Sequence, residues 1–214
     1  MVLRGGAEIS EPVKLPKVKA IVLSDTPGRT ERLSEHLRDR GVDWEPFEGI
    51  DAKKWALTTT NTYEIDNPGE GHIIPQKHTG LALSHHILWM IQKELRLSEL
   101  TIFEDDCILS EDWEERYTEG RKHLPGDWDI LMIGSAHCQY RAKEHVSGPI
   151  WEVWWPITTH AYIVNYKALD TLLRTQRYSG APIDIALCNR SYPLLQVYTL
   201  LPRIAEQHLT PLDE

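Results

Sequence analysis

The sequence predicts an α/β domain whose twisted, mostly parallel central sheet is flanked by helices. Short apolar runs of strand length alternate with longer amphipathic segments along the chain, and this alternation favours a parallel sheet with crossover helices. The opening run at 18–23 leads into a helix over 29–40 and a second strand at 42–47, an order typical of nucleotide-binding sheets. At 214 residues the chain fits one domain, assigned to residues 18–214 after a flexible tail over 1–17.

Local signals set the boundaries of the first elements. Leu33 and Leu37 lie four residues apart on one face of the first helix, and Gly41 ends that helix. Pro46 restricts the second strand to a sheet edge or an early end, because proline donates no backbone hydrogen bond. The polar stretch 53–75 shows no element of its own, and a loop of this length is usually functional or mobile. We interpret it as a candidate lid.

The longest helix is expected over 76–97. Apolar residues recur there every four positions, which predicts that one face of the helix packs on the core: Leu83, Ile87, Ile91 and Leu95. The later chain predicts helices over 111–124, 166–175 and 184–189, strands over 129–133, 158–164 and 194–200, an irregular aromatic segment at 147–156 and a C-terminal tail from 202.

Three consecutive carboxylates, Glu104, Asp105 and Asp106, end the buried strand predicted at 100–103. Their mutual repulsion costs free energy, and a bound cation offsets it. Oxygen ligands of this kind suit Mg²⁺ or Mn²⁺, which complete their shells with substrate phosphates and water. The run therefore predicts a metal-diphosphate site. The alternative is a solvated loop in which Asp106 or Ser110 caps the helix that follows.

Several motifs, in order, resemble glycosyltransferase family 25. The segment Gly80-Leu81-Ala82-Leu83-Ser84-His85 and then Trp89 precede the acidic run, and the segments 127–134, 159–164 and 182–184 follow it. The resemblance spans the chain from about Val18 to Gln207. The family includes lipopolysaccharide galactosyltransferases and collagen galactosyltransferases. It implies a GT-A type, Rossmann-like domain and the inverting, metal-dependent transfer of a hexose from a UDP-sugar to a hydroxyl of a larger acceptor, by family a glycan or lipopolysaccharide.

The resemblance also implies roles for individual residues. A Mn²⁺ or Mg²⁺ ion would be held by Glu104, Asp106 and His208. The nucleotide-sugar donor would contact Leu23, Ser24, Arg29, Asp51, Ser84, His85 and Asp105. Asp184 is the candidate general base, since enzymes of this fold place an acid near the acceptor. The acceptor would contact Trp154, Trp155 and His160, because flat aromatic faces suit sugar rings.

Most of these roles have a structural alternative. Asp51 is equally a turn residue that bonds its own backbone, and His85 a satisfied structural histidine. Asp184 could equally be a carboxylate in the first turn of a helix, stabilised by the helix dipole. His208 could be an ordinary surface histidine, and Trp154 and Trp155 could be core residues. The first strand departs from the family, because Val22-Leu23-Ser24-Asp25 stands where members usually read I-N-L-D-R.

Composition excludes some classes of protein. The formal net charge of −9 argues against nonspecific binding to a nucleic-acid backbone. No apolar run approaches the roughly 18 residues that a bilayer span needs, and no secretion signal is recognised. Cys107, Cys138 and Cys188 form no paired motif, which favours a reducing cytoplasm, bacterial or, for a viral protein, that of the host.

Other functions stay open. One alternative is a viral or phage glycosyltransferase that acts on hydroxymethylated DNA bases or on protein. An alternative of another class is a non-catalytic module that binds nucleotide sugars. A metal-dependent phosphohydrolase would use Asp25 as its nucleophile, but the rest of that pattern is missing.

Overall fold

The computed structural model of the protein describes residues 13–22, 28–54, 76–136, 142–176 and 181–208. The strands of these ranges are β1 (Val18–Val22), β2 (Trp44–Glu48), β3 (Glu99–Glu104), β4 (Cys107–Leu109), β5 (Ile130–Ala136), β6 (Ala142–Ser147), β7 (Ile150–Val153), β8 (Ile157–Asn165), β9 (Val197–Leu200) and β10 (Ala205–Gln207). The α-helices are α1 (Arg29–Asp39), α2 (Gln76–Glu94), α3 (Trp113–His123), α4 (Leu169–Thr175) and α5 (Ile183–Ala186). A π-helical turn, Leu187–Ser191, and two 3₁₀ turns, Tyr166–Ala168 and Tyr192–Leu194, complete the helical structure.

An eight-stranded sheet in the order β2-β1-β3-β8-β5-β9-β7-β6 forms the centre of the molecule. This confirms the α/β class and the helix-flanked central sheet. The sheet is mixed: most of its strands point the same way, as expected, and β7 and β8 run against them. β1 runs parallel to β2 and β3, and β5 runs parallel to β9. β8 is antiparallel to β3 and β5, and β7 is antiparallel to β6 and β9.

Helices α1 and α2 pack on opposite faces of the sheet. Phe103 of β3 lies in one hydrophobic cluster with Leu33 of α1, whereas its neighbour Ile102 lies in a second cluster with Trp89 of α2. Successive residues of a strand face opposite sides of a sheet. The carboxyl ends of β1 and β3 therefore lie between α1 and α2. The strand order changes direction at this point, because β1 has β2 on one side and β3 on the other. Ligands bind at such switch points in open α/β sheets.

The buried face of α2 differs from the predicted one. Leu83 is 37% exposed and Leu95, just past the helix end, is 61% exposed, so these two members of the expected apolar stripe face solvent, whereas Ile91 packs against the core. The residues that α2 buries are Thr79, Gly80, Ser84, His85, Leu88, Trp89 and Gln92. The polar members have partners inside the protein: Gln92, for example, donates to the backbone carbonyl of Val164 at 2.9 Å. Specific hydrogen bonds, rather than apolar spacing, thus decide the orientation of this helix.

Several elements were missed by the sequence prediction. The segment expected to be irregular and aromatic contributes to an antiparallel hairpin of β6 and β7. The expected C-terminal tail contains β10, which pairs antiparallel with β4 beside the acidic run.

Residues 13–17, assigned to the flexible tail, contact the domain: the amide of Val13 donates to the Thr118 hydroxyl at 2.9 Å. Residues 1–12 and the candidate lid at 55–75 lie outside the described ranges.

No helix in the described ranges is long and apolar enough to cross a membrane.

Gly80 and Ser84 fasten the segment after β2 to helix α2. The Ser84 hydroxyl donates to the carbonyl of Gly80 at 2.8 Å and accepts the amide of Ile50, also at 2.8 Å. A Cβ atom at Gly80 would overlap the backbone carbonyl of Ile50. The small residue and the hydroxyl one turn later therefore form one docking surface for residues 50–52.

Replacing Gly80 by alanine should destabilise the fold by about 2 kcal/mol, because a backbone carbonyl cannot move aside as a flexible side chain can. Chemical denaturation of both proteins measures this change in the free energy of unfolding. Gly126→Ala is the matched control, since nothing lies within 4 Å of a Cβ atom there. Equal stabilities of the two variants would contradict this docking role of Gly80.

Candidate functional site

Two cavities, each of about 200 Å³, meet at the acidic end of β3. Arg29, Asp105 and Asp106 line both of them. The cavity on the α1 side, here the α1 cavity, is completed by Arg32, Leu33, His36, Cys107, Ile108 and His208. The cavity on the α2 side, here the α2 cavity, is completed by Ile21, Lys77, His78, Leu81 and Glu104. The acidic run therefore stands between two spaces that both carry basic side chains.

An ion pair separates the two cavities. Arg29, the first residue of α1, places its Nη1 atom 3.2 Å from Oδ1 of Asp105. The Asp105 side chain is only 8% exposed, so the attraction between the two charges is screened less by solvent than that of a fully exposed pair. The structure thus brings together two of the predicted donor-binding residues.

Glu104 belongs to a buried hydrogen-bond network behind the cavities. Its Oε1 atom accepts the Thr159 hydroxyl at 2.6 Å and lies 3.2 Å from Nε2 of His85. On the other side of the ring, Nδ1 of His85 lies 2.8 Å from the Tyr162 hydroxyl, which accepts the Trp89 indole N–H at 3.2 Å. An ionised carboxylate only accepts hydrogen bonds, so Nε2 of His85 donates to Glu104. In the neutral ring Nδ1 then carries no proton and accepts from the Tyr162 hydroxyl.

The carboxylates of the acidic run have unequal pKa values. Burial acts to raise the pKa of Glu104, but the hydrogen bonds from His85 and Thr159 outweigh it, and the pKa is lowered. Burial, followed by the negative charge of Glu104, raises the pKa of Asp106 to about 6, against a partial opposing effect of the Gln207 hydrogen bond. Of these two carboxylates, Asp106 is the one whose negative charge the protein compensates less.

The acidic run fits a divalent cation held jointly with substrate phosphates. Oδ1 of Asp106 is buried and makes no hydrogen bond within the described ranges. An oxygen that coordinates a cation when the site is filled would show this pattern. In the same part of the chain, no group of three or more His, Cys, Asp or Glu side chains is arranged to hold a metal ion. Mg²⁺ commonly needs only one or two carboxylates beside phosphate and water, so Asp105 and Asp106 suffice as the protein's ligands.

The C-terminal strand packs against Asp106. Gln207 Nε2 donates to Oδ2 of Asp106 at 2.7 Å, and the amide of His208 donates to the Asp106 carbonyl at 2.7 Å. His208 lines the α1 cavity with Asp105 and Asp106. The predicted metal ligands Glu104, Asp106 and His208 therefore lie near one another but do not form a preassembled cluster, because Glu104 is committed to His85 and Thr159. Their ligand roles stay predictions.

Asp184 sits at the start of α5 beside an irregular stretch of β8. Its Oδ2 atom accepts the amide of Thr158 at 3.2 Å, and its Oδ1 atom accepts the amide of Ile185 at 2.8 Å. Thr158 has a φ of 67°, an unusual conformation for a β-branched residue. Its hydroxyl accepts the amide of Ala136 at 3.0 Å. The bulge in β8 thus aims a backbone amide at the Asp184 carboxylate.

Two other predicted donor residues make structural contacts. Oδ1 of Asp51 accepts the amides of Lys53 at 2.9 Å and Lys54 at 3.2 Å, which is the turn geometry of the alternative interpretation. Ser84 is fully buried and bonded to Gly80 and Ile50 rather than facing a cavity. Leu23 and Ser24 lie outside the described ranges.

The predicted acceptor residues occupy different environments. Trp154 is 58% exposed, and its ring centroid lies 5.8 Å from that of Trp155, which packs against the core. His160 is buried, with Nδ1 3.0 Å from the Thr158 hydroxyl, and burial lowers its pKa. Trp154 is thus open to an acceptor, whereas His160 supports the bulge in β8.

A family model places the chain. The model described as "Glycosyltransferase family 25 (LPS biosynthesis protein)" matches residues 17–148, which include the acidic run and the Gly80–His85 motif. The chain belongs to glycosyltransferase family 25. It is accordingly a glycosyltransferase, and the family resemblance noted in its motifs is confirmed. Among curated proteins, none matches this glycosyltransferase in sequence.

Solved structures align with this chain at low sequence identity. A glycosyltransferase involved in the glycosylation of the major capsid of PBCV-1 aligns with a TM-score of 0.51 and 10% identity over 91% of this chain and 95% of that one. A197 from STIV aligns with a TM-score of 0.49 and 11% identity over 86% of this chain and 81% of that one. A putative glucose-1-phosphate thymidylyltransferase from Bacillus anthracis aligns with a TM-score of 0.43 and 11% identity over 86% and 85%. The first of these supports a GT-A-like fold.

Sequence reasoning missed the basic lining of this glycosyltransferase's site. Lys77 and His78 lie on the first turn of α2 and line the α2 cavity, and His36 lines the α1 cavity. The signal for Lys77 and His78 was present, since they immediately precede the family motif that starts at Gly80. Their place beside the carboxylates, however, depends on how α2 docks on the sheet.

In metal-free protein, Asp106→Asn should stabilise the fold at neutral pH. The pKa of Asp106 is raised from 3.8 to about 6 by folding, so the folded state binds the proton more tightly and stability falls as the pH rises between these values. Protonated Asp106 contributes roughly 3 kcal/mol to the free energy of unfolding. This contribution is fully present below about pH 4 and is lost by about pH 6. Denaturation in chelator at about pH 4 and about pH 7.5 should therefore give an advantage for the variant only at the higher pH.

Asp43→Asn, at an exposed position, is the charge-matched control. A stability difference between wild type and Asp106→Asn that does not change with pH would show that Asp106 carries no such strain.

Tyr162→Phe should destabilise the fold by about 1 to 3 kcal/mol, because the Trp89 indole and Nδ1 of His85 both lose a buried partner. Urea denaturation measures the loss. Tyr166→Phe removes a hydroxyl from a side chain that is 39% exposed and should change stability little. If both substitutions had the same small effect, the network would be dispensable for folding.

Proposed function

We propose that this glycosyltransferase transfers a hexose from a UDP-sugar, with inversion, to a hydroxyl of a glycan acceptor. The single observation that carries the proposal is the crevice at the carboxyl ends of β1 and β3, where Arg29, Asp105 and Asp106 line two cavities at once. A nucleotide sugar carries two phosphates between its nucleoside and its sugar, so it needs a charged centre between two spaces. The family supports the transferase class, and the geometry supports the donor position.

The donor diphosphate is proposed to lie against the acidic run. Carboxylates alone repel phosphate, and Asp105 and Asp106 would hold a Mg²⁺ or Mn²⁺ ion there, which supplies positive charge against the leaving diphosphate when bound. The basic side chains of both cavities contribute further positive charge. Arg29 is already paired with Asp105 at 3.2 Å and is placed to exchange that partner for a donor phosphate.

Transfer is proposed to occur in one displacement at the anomeric carbon. The acceptor hydroxyl attacks from the face opposite the diphosphate, the bond to the phosphate oxygen breaks, and the proton of the hydroxyl passes to a base. Asp184 is the base that the sequence suggests. It does not line the α2 cavity, but its negative charge acts to raise the pKa of His78, which does. The acceptor is thus proposed to approach from the side of α2 and α5.

A glycan acceptor is favoured by an exposed aromatic surface. Trp154 is 58% exposed beside Trp155, and flat aromatic faces stack on sugar rings. We propose a cytoplasmic reaction, which is consistent with the buried free thiol of Cys107.

Isothermal titration of UDP tests the donor site. Wild-type protein should bind UDP more tightly with Mn²⁺ than with chelator, and Asp106→Asn should lose this metal dependence because it removes a carboxylate that the protein compensates less than Glu104. Turnover of a nucleotide sugar by this variant should fall on the order of 10² to 10³-fold. Asp43→Asn should behave as wild type. UDP binding that ignores both metal and Asp106 would contradict the proposed donor site.

A further inference from the structure

We propose that His78, rather than Asp184, is the residue that accepts the acceptor's proton. This inference rests on the proposed transferase reaction. It changes the assignment of the base, which sequence resemblance gives to Asp184.

His78 lines the reaction cavity, and Asp184 does not. The α2 cavity is lined by His78 together with Glu104, Asp105 and Asp106. Asp184 is among the lining residues of neither cavity. A general base must reach the proton that it removes, directly or through one water. On this criterion His78 is the better placed of the two side chains.

Both oxygens of Asp184 are engaged by the backbone. One accepts the amide of Thr158 at 3.2 Å and the other accepts the amide of Ile185 at 2.8 Å. Thr158 lies at the bulge in β8 with a left-handed backbone conformation, so these contacts fix the orientation of the carboxylate. Asp184 is therefore less available to an acceptor hydroxyl than the imidazole of His78.

The surroundings of His78 suit a proton acceptor. Burial, and then the positive charge of Lys77, lower its pKa, while the charge of Asp184 opposes them. The other charged groups that line the cavity are Arg29 and the three carboxylates of the acidic run. The ring is therefore neutral near pH 7 and free to accept a proton. Once protonated, the ring is favoured by the negative charge of Asp184.

In the proposed step, one bond forms at the anomeric carbon as another breaks. The acceptor oxygen forms its bond to the anomeric carbon as the bond from that carbon to the diphosphate oxygen breaks. The bonding electron pair leaves with the diphosphate, and the hydroxyl proton passes to a ring nitrogen of His78. Release of that proton to solvent restores the enzyme. When water replaces the acceptor, the same step gives slow hydrolysis of the donor.

Donor hydrolysis and UDP binding, measured together, test the proposal without knowledge of the acceptor. His78→Gln should lower the hydrolysis rate of UDP-galactose or UDP-glucose on the order of 10² to 10⁴-fold, with a Kd for UDP within about 3-fold of wild type. Added imidazole should restore part of the rate to His78→Gly. His86→Gln is the matched control, because His86 is a half-buried histidine of the same helix that contacts Trp89 and lines neither cavity.

The pH profile separates the role of His78 from that of Asp184. Wild-type turnover should fall as the pH drops through the pKa of His78, and His78→Gln should lack this limb. Asp184→Asn removes a charge that raises the pKa of His78, so its acid limb should move to lower pH while a measurable rate persists.

Two results would overturn the proposal. If His78→Gln kept the wild-type rate and Asp184→Asn abolished it, Asp184 would be the base and the transferase reaction would stand. If wild-type protein neither bound UDP nor hydrolysed any nucleotide sugar, the proposed function would fail and this inference with it.

Discussion

Repulsion among three adjacent carboxylates is the constraint around which this glycosyltransferase is built. The fold treats each one differently. Glu104 is turned inward and held by His85 and Thr159, and Asp105 is paired with Arg29. Asp106 receives a side-chain amide from Gln207 but keeps one buried oxygen without a hydrogen bond in the described ranges. The negative charge that is left uncompensated at Asp106 lowers the stability of the fold, and a bound cation would remove this cost. Binding sites commonly reduce stability in this way.

These compensations come from distant parts of the chain, so the site depends on the whole topology. Arg29 begins α1, His85 lies in α2, Thr159 lies in β8 and Gln207 ends β10. The antiparallel insertion of β8 beside β3 brings Thr159 and Tyr162 to the back of the acidic run. The small sheet of β4 and β10 brings the C-terminal segment to its front. A parallel strand in the place of β8 would reverse its direction and so change which side chains reach Glu104.

The sequence predicts what depends on local pattern and misses what depends on tertiary hydrogen bonds. The acidic run, the α/β class and the family followed from apolar runs and motif order. The buried face of α2 did not, because Gln92, Ser84 and His85 are buried through specific partners, which overrode the apolar stripe that ends at Leu95. The β6–β7 hairpin and β10 were also missed, because their short strands carry exposed polar residues that hide the strand pattern, for example Glu144 in β6 and Glu206 in β10.

The motif that identifies the family combines separate physical tasks within one helix. Gly80 and Ser84 dock the segment after β2, and His85 restrains Glu104 from behind. None of the three lines either cavity. The side chains of α2 that do are Lys77, His78 and Leu81, which lie on its first turns, beside or between the motif positions. Motif residues in this helix therefore secure the frame of the site, while the chemistry presented to the substrate is set by neighbours that the motif does not specify.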